Sequence, residues 1–315
     1  LAEILITGGA GFIGSTLIRK LSEKGYRIAI IDDLSTGSED NLPDNVRLHR
    51  VDIRSAVVDR IFEIENPKYL FHLAAQLNVR RSVADPMFDA DVNVMGTLNM
   101  LQAAQKAGVE KIIFTSTGGA IYGEQEYFPA DENHPTNPDS PYGITKLAAE
   151  KYIQFFFKTH GMKYCIFRLA NVYGPRQSTI GEAGVVAAFF DRFLSGEEAI
   201  INGNGRQTRD FVFVGDVADA LIKGMDYPNC NIFNIGTTIE TTILQLFRMI
   251  RDISDYEQKE IFGPPKAGEQ IRSVITHKKA EKELGWLPHT SLMEGLQKTY
   301  QYFKSNKRKT TQTMS

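Results

Sequence analysis

Through the first half of the chain, runs rich in Ile, Leu, Val and Phe alternate with amphipathic segments, and this rhythm restricts the fold more than any other feature. The strand-like runs are EILIT (3–7), RIAIID (27–32), VRLHRVD (46–52), YLFHLA (69–74), KIIFTS (111–116) and YCIFRLAN (164–171). Segments 13–24, 54–65, 86–107 and 141–160 lie between them and carry apolar residues at helical spacing. Strands that are apolar at successive positions suit a parallel sheet covered on both faces by helices. The expectation is an α/β fold with a doubly wound parallel sheet of the Rossmann type.

After about residue 175 the rhythm loosens. QSTIGEAG (177–184) reads as a loop, INGNGRQTRDFVFVGD (201–216) as turns around a short strand, and FNIG (233–236) as a further strand. Helices are expected from Thr241 to about Ser254 and from Ser291 to Phe303. This predicts a dinucleotide-binding domain over 1–175, which may recruit later strands, and a smaller α/β C-terminal substrate-binding lobe over 176–315. The cleft between them lies above the carboxyl edge of the sheet.

The formal net charge of the 315 residues is −2, and basic residues cluster only in KSNKRK near the C-terminus. Nucleic-acid binding is not expected, because a phosphate backbone needs grouped Lys and Arg. No apolar stretch is long enough for a bilayer. The two cysteines, Cys165 and Cys230, lack metal-site spacing and read as reduced thiols. LAEILITGG leads straight into a strand with no signal peptide, so no membrane partner and a cytoplasmic location are expected.

TGGAGFIG (7–14) follows the first strand and opens a helix. Gly9, Gly11 and Gly14 fit G-x-G-x-x-G, and Gly8, Gly11 and Gly14 fit the related three-residue spacing. Glycines there let backbone reach a pyrophosphate, and the helix N-terminus adds a positive dipole. IIDD (30–33) ends the second strand at the separation expected for a ribose-binding acid. Asp32 would accept the adenosine ribose hydroxyls and repel a 2′-phosphate, which favours NAD over NADP. Asp33 is either a second partner or a turn residue.

SPYGITK (140–146) reads as a helix start, with Ser140 as cap and Pro141 in the first turn. Tyr142 and Lys146 then share one helix face. The helix dipole, the ammonium and a bound pyridinium would together lower the phenol and make it a base. FTSTGGAIYG (114–123) ends the fifth strand at the ligand edge. Ser116 and Thr117 offer hydroxyls there, Thr117 being the favoured proton relay, and Gly118-Gly119 leaves room for a ring. His72 reads as a packed or capping residue and Trp286 as core. Arg80 and Arg81 read either as substrate contacts or as solvated charges.

TGGAGFIG, IDDLSTG (31–37), HLAA (72–75), STGGAIYG (116–123), YGITK (142–146), RLANVYGPRQ (168–177), GRQTRDFVFVGD (205–216) and GEQIRS (268–273) occur in order along nearly the whole chain. The set resembles the extended short-chain dehydrogenase/reductases of the NAD-dependent epimerase/dehydratase family, most closely those that invert carbon 4 of UDP-hexoses. The resemblance implies Tyr142 as base, Lys146 as its modulator and Thr117 as the neighbouring hydroxyl. It implies NAD contacts from Gly8, Gly11, Phe12, Ile13 and Gly14, and from Asp32, Asp33, Ser35, Thr36 and Gly37. Asp52, Ile53, Leu73, Ala74, Ala75, Gln76, Asn93 and Thr115 complete that cofactor set with Tyr142 and Lys146.

For a UDP-hexose substrate the resemblance implies Thr117, Gly118, Tyr142, Asn171 and Gln207, with Arg209 and Arg272 clamping the diphosphate and Glu269 near the nucleoside. It places the small Ser273 where side-chain size limits the sugar pocket, implying tolerance of N-acetylated hexoses. It also implies a homodimer joined through the 86–107 and 141–160 helices. A 4,6-dehydratase would need an acid and a base after Thr117, where Gly118-Gly119 stands instead. UDP-glucuronate 4-epimerase or decarboxylase chemistry stays open, with Arg81 as a candidate for the sugar carboxylate. A non-enzymatic NAD sensor would have no need of Tyr142, Lys146 and Thr117 together.

Overall fold

The computed structural model describes residues 1–179, 184–265 and 270–313, with 308–313 as backbone alone. Six strands follow the expected runs: β1 (Ile4–Thr7), β2 (Ile28–Asp32), β3 (Arg47–Arg50), β4 (Tyr69–His72), β5 (Lys111–Thr117) and β6 (Lys163–Leu169). Later come β7 (Asn171–Tyr173), β8 (Ile200–Asn202), β9 (Thr208–Phe213), β10 (Asn231–Ile235), β11 (Glu240–Thr242), β12 (Ile261–Gly263) and β13 (Arg272–Ser273). A seven-stranded parallel sheet runs in the order β10-β6-β5-β4-β1-β2-β3. The order reverses between β1 and β4, where the crevice of a doubly wound sheet lies.

Alternation along the strands builds two apolar layers. Ile4 and Ile6 face one side with Phe167 and Phe233, packing on α1 (Phe12–Glu23). Leu5, Ile112 and Phe114 face the other, under α2 (Val57–Glu65), α5 (Gly96–Lys106) and α6 (Pro141–His160), while α3 (Val79–Ala84) and α4 (Pro86–Ala90) pack on α6. The expected single helix over 86–107 is interrupted by a π-turn at Asp91–Met95 that swings Asn93 inward. The edge strand β3 is partly exposed, unlike its neighbours.

The remaining helices are α7 (Val185–Ser195), α8 (Val214–Asp226), α9 (Ile243–Ser254), α10 (Lys278–Leu284) and α11 (Leu292–Thr313). α7, α9 and α11 enclose an aromatic core that includes Phe190, Phe193, Phe247 and Tyr300. β10 extends the large sheet beside β6, and α8 packs on α1. Trp286 is core, donating its indole N–H to the Asp216 carbonyl at 2.8 Å. Among the described residues no helix is long and apolar enough to cross a membrane, and no cluster of ligating side chains could hold a metal ion.

Candidate active site

At the end of β1 the chain turns through Gly8, whose φ of +69° is left-handed. A Cβ on Gly8 would stand 2.7 Å from the Ala74 amide nitrogen, and one on Gly14 would stand 2.2 Å from the Gly8 carbonyl oxygen. The turn is therefore pressed between the segment after β4 and the first turn of α1. Gly11 caps that helix without any side-chain hydrogen bond, so no side chain competes for its N-terminal amides. These features fit a diphosphate laid on backbone at Gly11, Phe12 and Ile13.

Asp32 ends β2 beside this turn. Its Oδ2 accepts the Ala10 N–H and its Oδ1 the Leu34 N–H, both at 2.9 Å. Burial raises its carboxyl above the ordinary range, and the backbone bonds oppose that. Each oxygen keeps a lone pair for a ribose hydroxyl. Asp33 serves its own turn, its Oδ1 taking the Ser35 N–H and hydroxyl at 2.9 and 2.7 Å. Gly37 passes close over Ala10, where a Cβ would meet the Ala10 carbonyl carbon at 2.9 Å, and Thr36 precedes it on the same loop. Further along the sheet edge, Asp52 is paired with Arg54, and the Ile53 carbonyl accepts the Asn99 side chain at 2.7 Å.

The segment after β4 is held from below. Thr7 Oγ1 accepts the Leu73 and Ala74 N–H groups, each at 3.1 Å, and contacts His72 Nδ1 at 2.7 Å. With two donors already on Thr7, its own proton must go to Nδ1, leaving Nε2–H to donate to Thr97 at 3.0 Å. Burial, with Lys146 nearby, pushes the imidazole down to about 3, so His72 is a neutral capping residue as its sequence context suggests. Ala75 leads into Gln76, whose backbone N–H donates to Asn93 Oδ1 at 2.8 Å. Asn93 thus anchors the loop with both ends of its amide.

Helix α6 starts as expected, with Ser140 Oγ accepting the Gly143 N–H at 3.2 Å and Pro141 in the first turn. The Tyr142 N–H goes to Ser82 Oγ at 3.2 Å. The Thr117 hydroxyl is close enough to the phenol to lower it. Lys146 is buried one turn on, with Nζ donating to the Thr115 carbonyl at 2.8 Å and lying 4.6 Å above the Phe114 ring. Burial brings Lys146 down to about 8, against the pull of Glu150 and Asp89.

Two expectations change here. The phenol is not lowered by the protein's own groups: burial raises Tyr142 well above its usual value, Asp89 raises it further, and only Thr117 lowers it. Positive charge brought into the crevice would lower it. Nor do Ser116 and Thr117 face the same side, because neighbouring strand residues alternate. The Ser116 hydroxyl is buried without a partner, while Thr117 Oγ1 accepts the Ala120 N–H at 3.1 Å and keeps its proton to donate. Gly118-Gly119 also splits. A Cβ on Gly118 would meet Ile275 at 2.7 Å, whereas Gly119 opens on free space with Thr117 Oγ1 4.0 Å away.

Facing this edge is a small sheet in which β9 pairs with β7, β11 and β13. Asn171 is exposed at the start of β7, opposite Phe211. Arg209 and the buried Ser273 are register partners on one face, with Arg209 donating to the Thr208 and Gln270 carbonyls at 2.7 and 2.9 Å. Gln207 Nε2 donates to the Asn202 carbonyl at 3.0 Å. Arg272 is not brought beside Arg209. It alternates to the opposite face, where it forms a fork with Glu240 and lies 3.9 Å over Phe128. Glu269 lies outside the described residues. Arg81 is exposed and stacked 4.0 Å over Phe88.

A residue that sequence reasoning missed is Asp89. It is wholly buried behind Tyr142 and Lys146, and only the polar spacing of FDADVN (88–93) within an otherwise apolar helix hinted at it.

A dinucleotide-binding sheet that sets a capped Tyr–Lys helix against a strand-end hydroxyl defines a short-chain dehydrogenase/reductase. The match is specific: residues 4–236 fit the model of the NAD dependent epimerase/dehydratase family, to which this chain belongs. The fold is similar to a UDP-glucose 4-epimerase of Thermotoga maritima solved with UDP-glucose, at 46% identity and TM-score 0.95, covering 96% of this chain and 99% of that one. It is similar also to a Thermus thermophilus UDP-glucose 4-epimerase in complex with NAD, at 39% identity and TM-score 0.91, over 96% and 98% of the two chains. A UDP-N-acetylglucosamine 4-epimerase of Methanobrevibacter ruminantium, in complex with UDP-N-acetylmuramic acid, shares 30% identity and a TM-score of 0.92 over 97% and 99%.

Proposed function

We propose that this protein is an NAD-dependent epimerase that inverts carbon 4 of a UDP-hexose through a 4-keto sugar. The observation that carries this reading is the Thr117 hydroxyl beside the Tyr142 phenol, with buried Lys146 one turn away at the edge of the glycine cradle. NAD, when bound, supplies the hydride acceptor and donor. Tyr142 takes the proton of the sugar 4-hydroxyl, directly or through Thr117, and returns it once the keto sugar has been reduced on its other face. Lys146 keeps positive charge beside the phenolate. Asn171 and Arg209 hold the diphosphate while the sugar turns over.

One proton-transfer group serves both half-reactions, so nothing is needed at Gly118-Gly119, and the absence of an acid there speaks against dehydration. The test is a product assay over UDP-, GDP- and TDP-sugars. Interconversion of UDP-glucose and UDP-galactose with transient NADH absorbance is expected. Bound NAD that no sugar reduces would instead mark a sensor, and loss of water from the product a dehydratase.

Ser273 supports acceptance of N-acetylated hexoses, since it is small and sits beside Arg209 on the substrate face. Ser273→Tyr should lower turnover of UDP-N-acetylglucosamine by at least about tenfold while sparing UDP-glucose, as a steric filter does. Equal losses on both sugars would remove that role.

The reading includes a homodimer. Met95, Ile144, Tyr152 and Phe155 expose 57, 54, 40 and 53% of their surface around α5 and α6, an apolar face suited to a second copy. Phe155→Glu should halve the mass seen by sedimentation, and an unchanged mass would exclude this face.

A further inference from the structure

Among the described residues three carboxylates are completely buried: Glu65, Asp89 and Glu150. Glu65 is bonded to Arg47 and His49, and Glu150 makes a two-pronged pair with Arg168 at 3.0 and 2.7 Å. Asp89 has no cation bonded to it. Its oxygens accept instead from Gln76 Nε2 (2.7 Å), Asn93 Nδ2 (3.2 Å) and Thr145 Oγ1 (2.7 Å).

Two of the donor roles are forced. Gln76 Oε1 takes the Asn78 N–H at 2.6 Å, which turns its NH₂ toward Asp89. Asn93 Oδ1 takes the Gln76 N–H, which does the same for the Asn93 amide. Thr145 Oγ1 accepts from Asn93 Nδ2 at 3.2 Å and has two acceptors for its one proton, Asp89 Oδ2 at 2.7 Å and the Tyr142 carbonyl at 3.0 Å, the carboxylate being the nearer. A site made only of donors selects the charged carboxylate. Burying that charge without an ion-pair partner is expensive for the fold, and a device of this kind persists where it serves the site.

What it joins is specific. Gln76 continues the Leu73–Ala75 segment that packs on the glycine turn, and Thr145 sits between Tyr142 and Lys146 on α6. Resting on the epimerase reading above, we infer that Asp89 is a positioning residue of the catalytic pair, fastening Thr145 to the cofactor-flanking loop and holding a buried negative charge behind Tyr142 and Lys146. The ammonium turns the other way, to the Thr115 carbonyl, so the charge acts on it through space.

The other groups around the pair come from every element packed there. Thr117 meets the phenol from β5, neutral His72 lies under Lys146 from β4, and Glu150 follows on α6, committed to Arg168. On α3, Ser82 caps the Tyr142 amide, while Arg80 and Arg81 are exposed; Arg81 stacks on Phe88. Asp91 in the π-turn pairs with Arg54. Asp89 raises both the phenol and the ammonium, so removing its charge lets Tyr142 ionise at lower pH.

The experiment uses the NAD-loaded full chain. In Asp89→Asn, the acid limb of the kcat–pH profile and the ultraviolet tyrosinate titration, read against the Tyr142→Phe background, should both move down by about one unit. Circular dichroism checks that the variant is folded. A folded variant with both midpoints unmoved overturns the inference. If Asp89→Asn does not fold, Thr145→Val decides. It severs the link while keeping the charge, so kcat should fall about tenfold with KM for the sugar unchanged and the tyrosinate midpoint in place. An unaffected kcat there overturns the positioning role. A wild-type protein inert toward UDP-hexoses would remove the functional reading, whereas an unmoved tyrosinate midpoint removes this inference alone.

Discussion

Replacing Tyr142 with Phe should lower kcat by about a thousandfold, within the range that a positioned proton-transfer group contributes. NAD should remain bound in the variant, because the glycine turn, Asp32 and Lys146 are untouched. Tyr142 is partly buried, with the Thr117 hydroxyl near its phenol. Removing that oxygen leaves the helix cap at Ser140 and the packing of α6 as they are. The measurements are sugar turnover by coupled assay and NAD content of the purified protein. Near-normal turnover in this variant would exclude Tyr142 as the base. Loss of NAD together with activity would mean that the ring holds the cofactor rather than the substrate proton.

A second large effect is expected at Gly14. An added methyl would lie 2.2 Å from the Gly8 carbonyl oxygen and 2.8 Å from the Gly9 Cα, both of them backbone that cannot turn aside. Gly14→Ala must therefore push α1 off the turn. We expect about 1–3 kcal/mol of lost stability, as overpacking usually costs, together with loss of bound NAD. Gly119 is the comparison, because a methyl there meets nothing nearer than Thr117 Oγ1 at 4.0 Å. Gly119→Ala should melt like the parent and keep its NAD. Equal melting temperatures for Gly14→Ala and the parent would show that the turn is slack rather than wedged.

Much of this architecture was legible because its signals are local. Apolar runs with Ile and Leu at successive positions predict strands buried on both faces, and β1, β2 and β5 obey. Ser140-Pro141 marks a helix start because cap chemistry needs only neighbouring residues. What escaped is what tertiary contact decides. The break in 86–107 comes from a π-turn whose Asn93 is drawn to a loop seventeen residues earlier in the chain. The helix α7 hid in a stretch whose Phe residues pack on α9, α11 and Tyr256, all far along the chain. Within the site, residue types were readable but facing was not. Arg209 and Arg272 look alike as diphosphate ligands until strand register puts them on opposite faces. The direction of the Tyr142 shift was not legible for a related reason, since it is set by burial and by Asp89, far away in sequence, rather than by anything in YGITK.

The seventh strand of the large sheet arrives only after the chain has left to build much of the smaller lobe. Excising everything past 175 would strip β6 of its neighbour along Cys165–Leu169, baring a ladder of unanswered amides and carbonyls on a hydrophobic ribbon. The two lobes are thus sewn by threading rather than hinged by a tether, so neither half is a module that evolution or an engineer could shuffle intact.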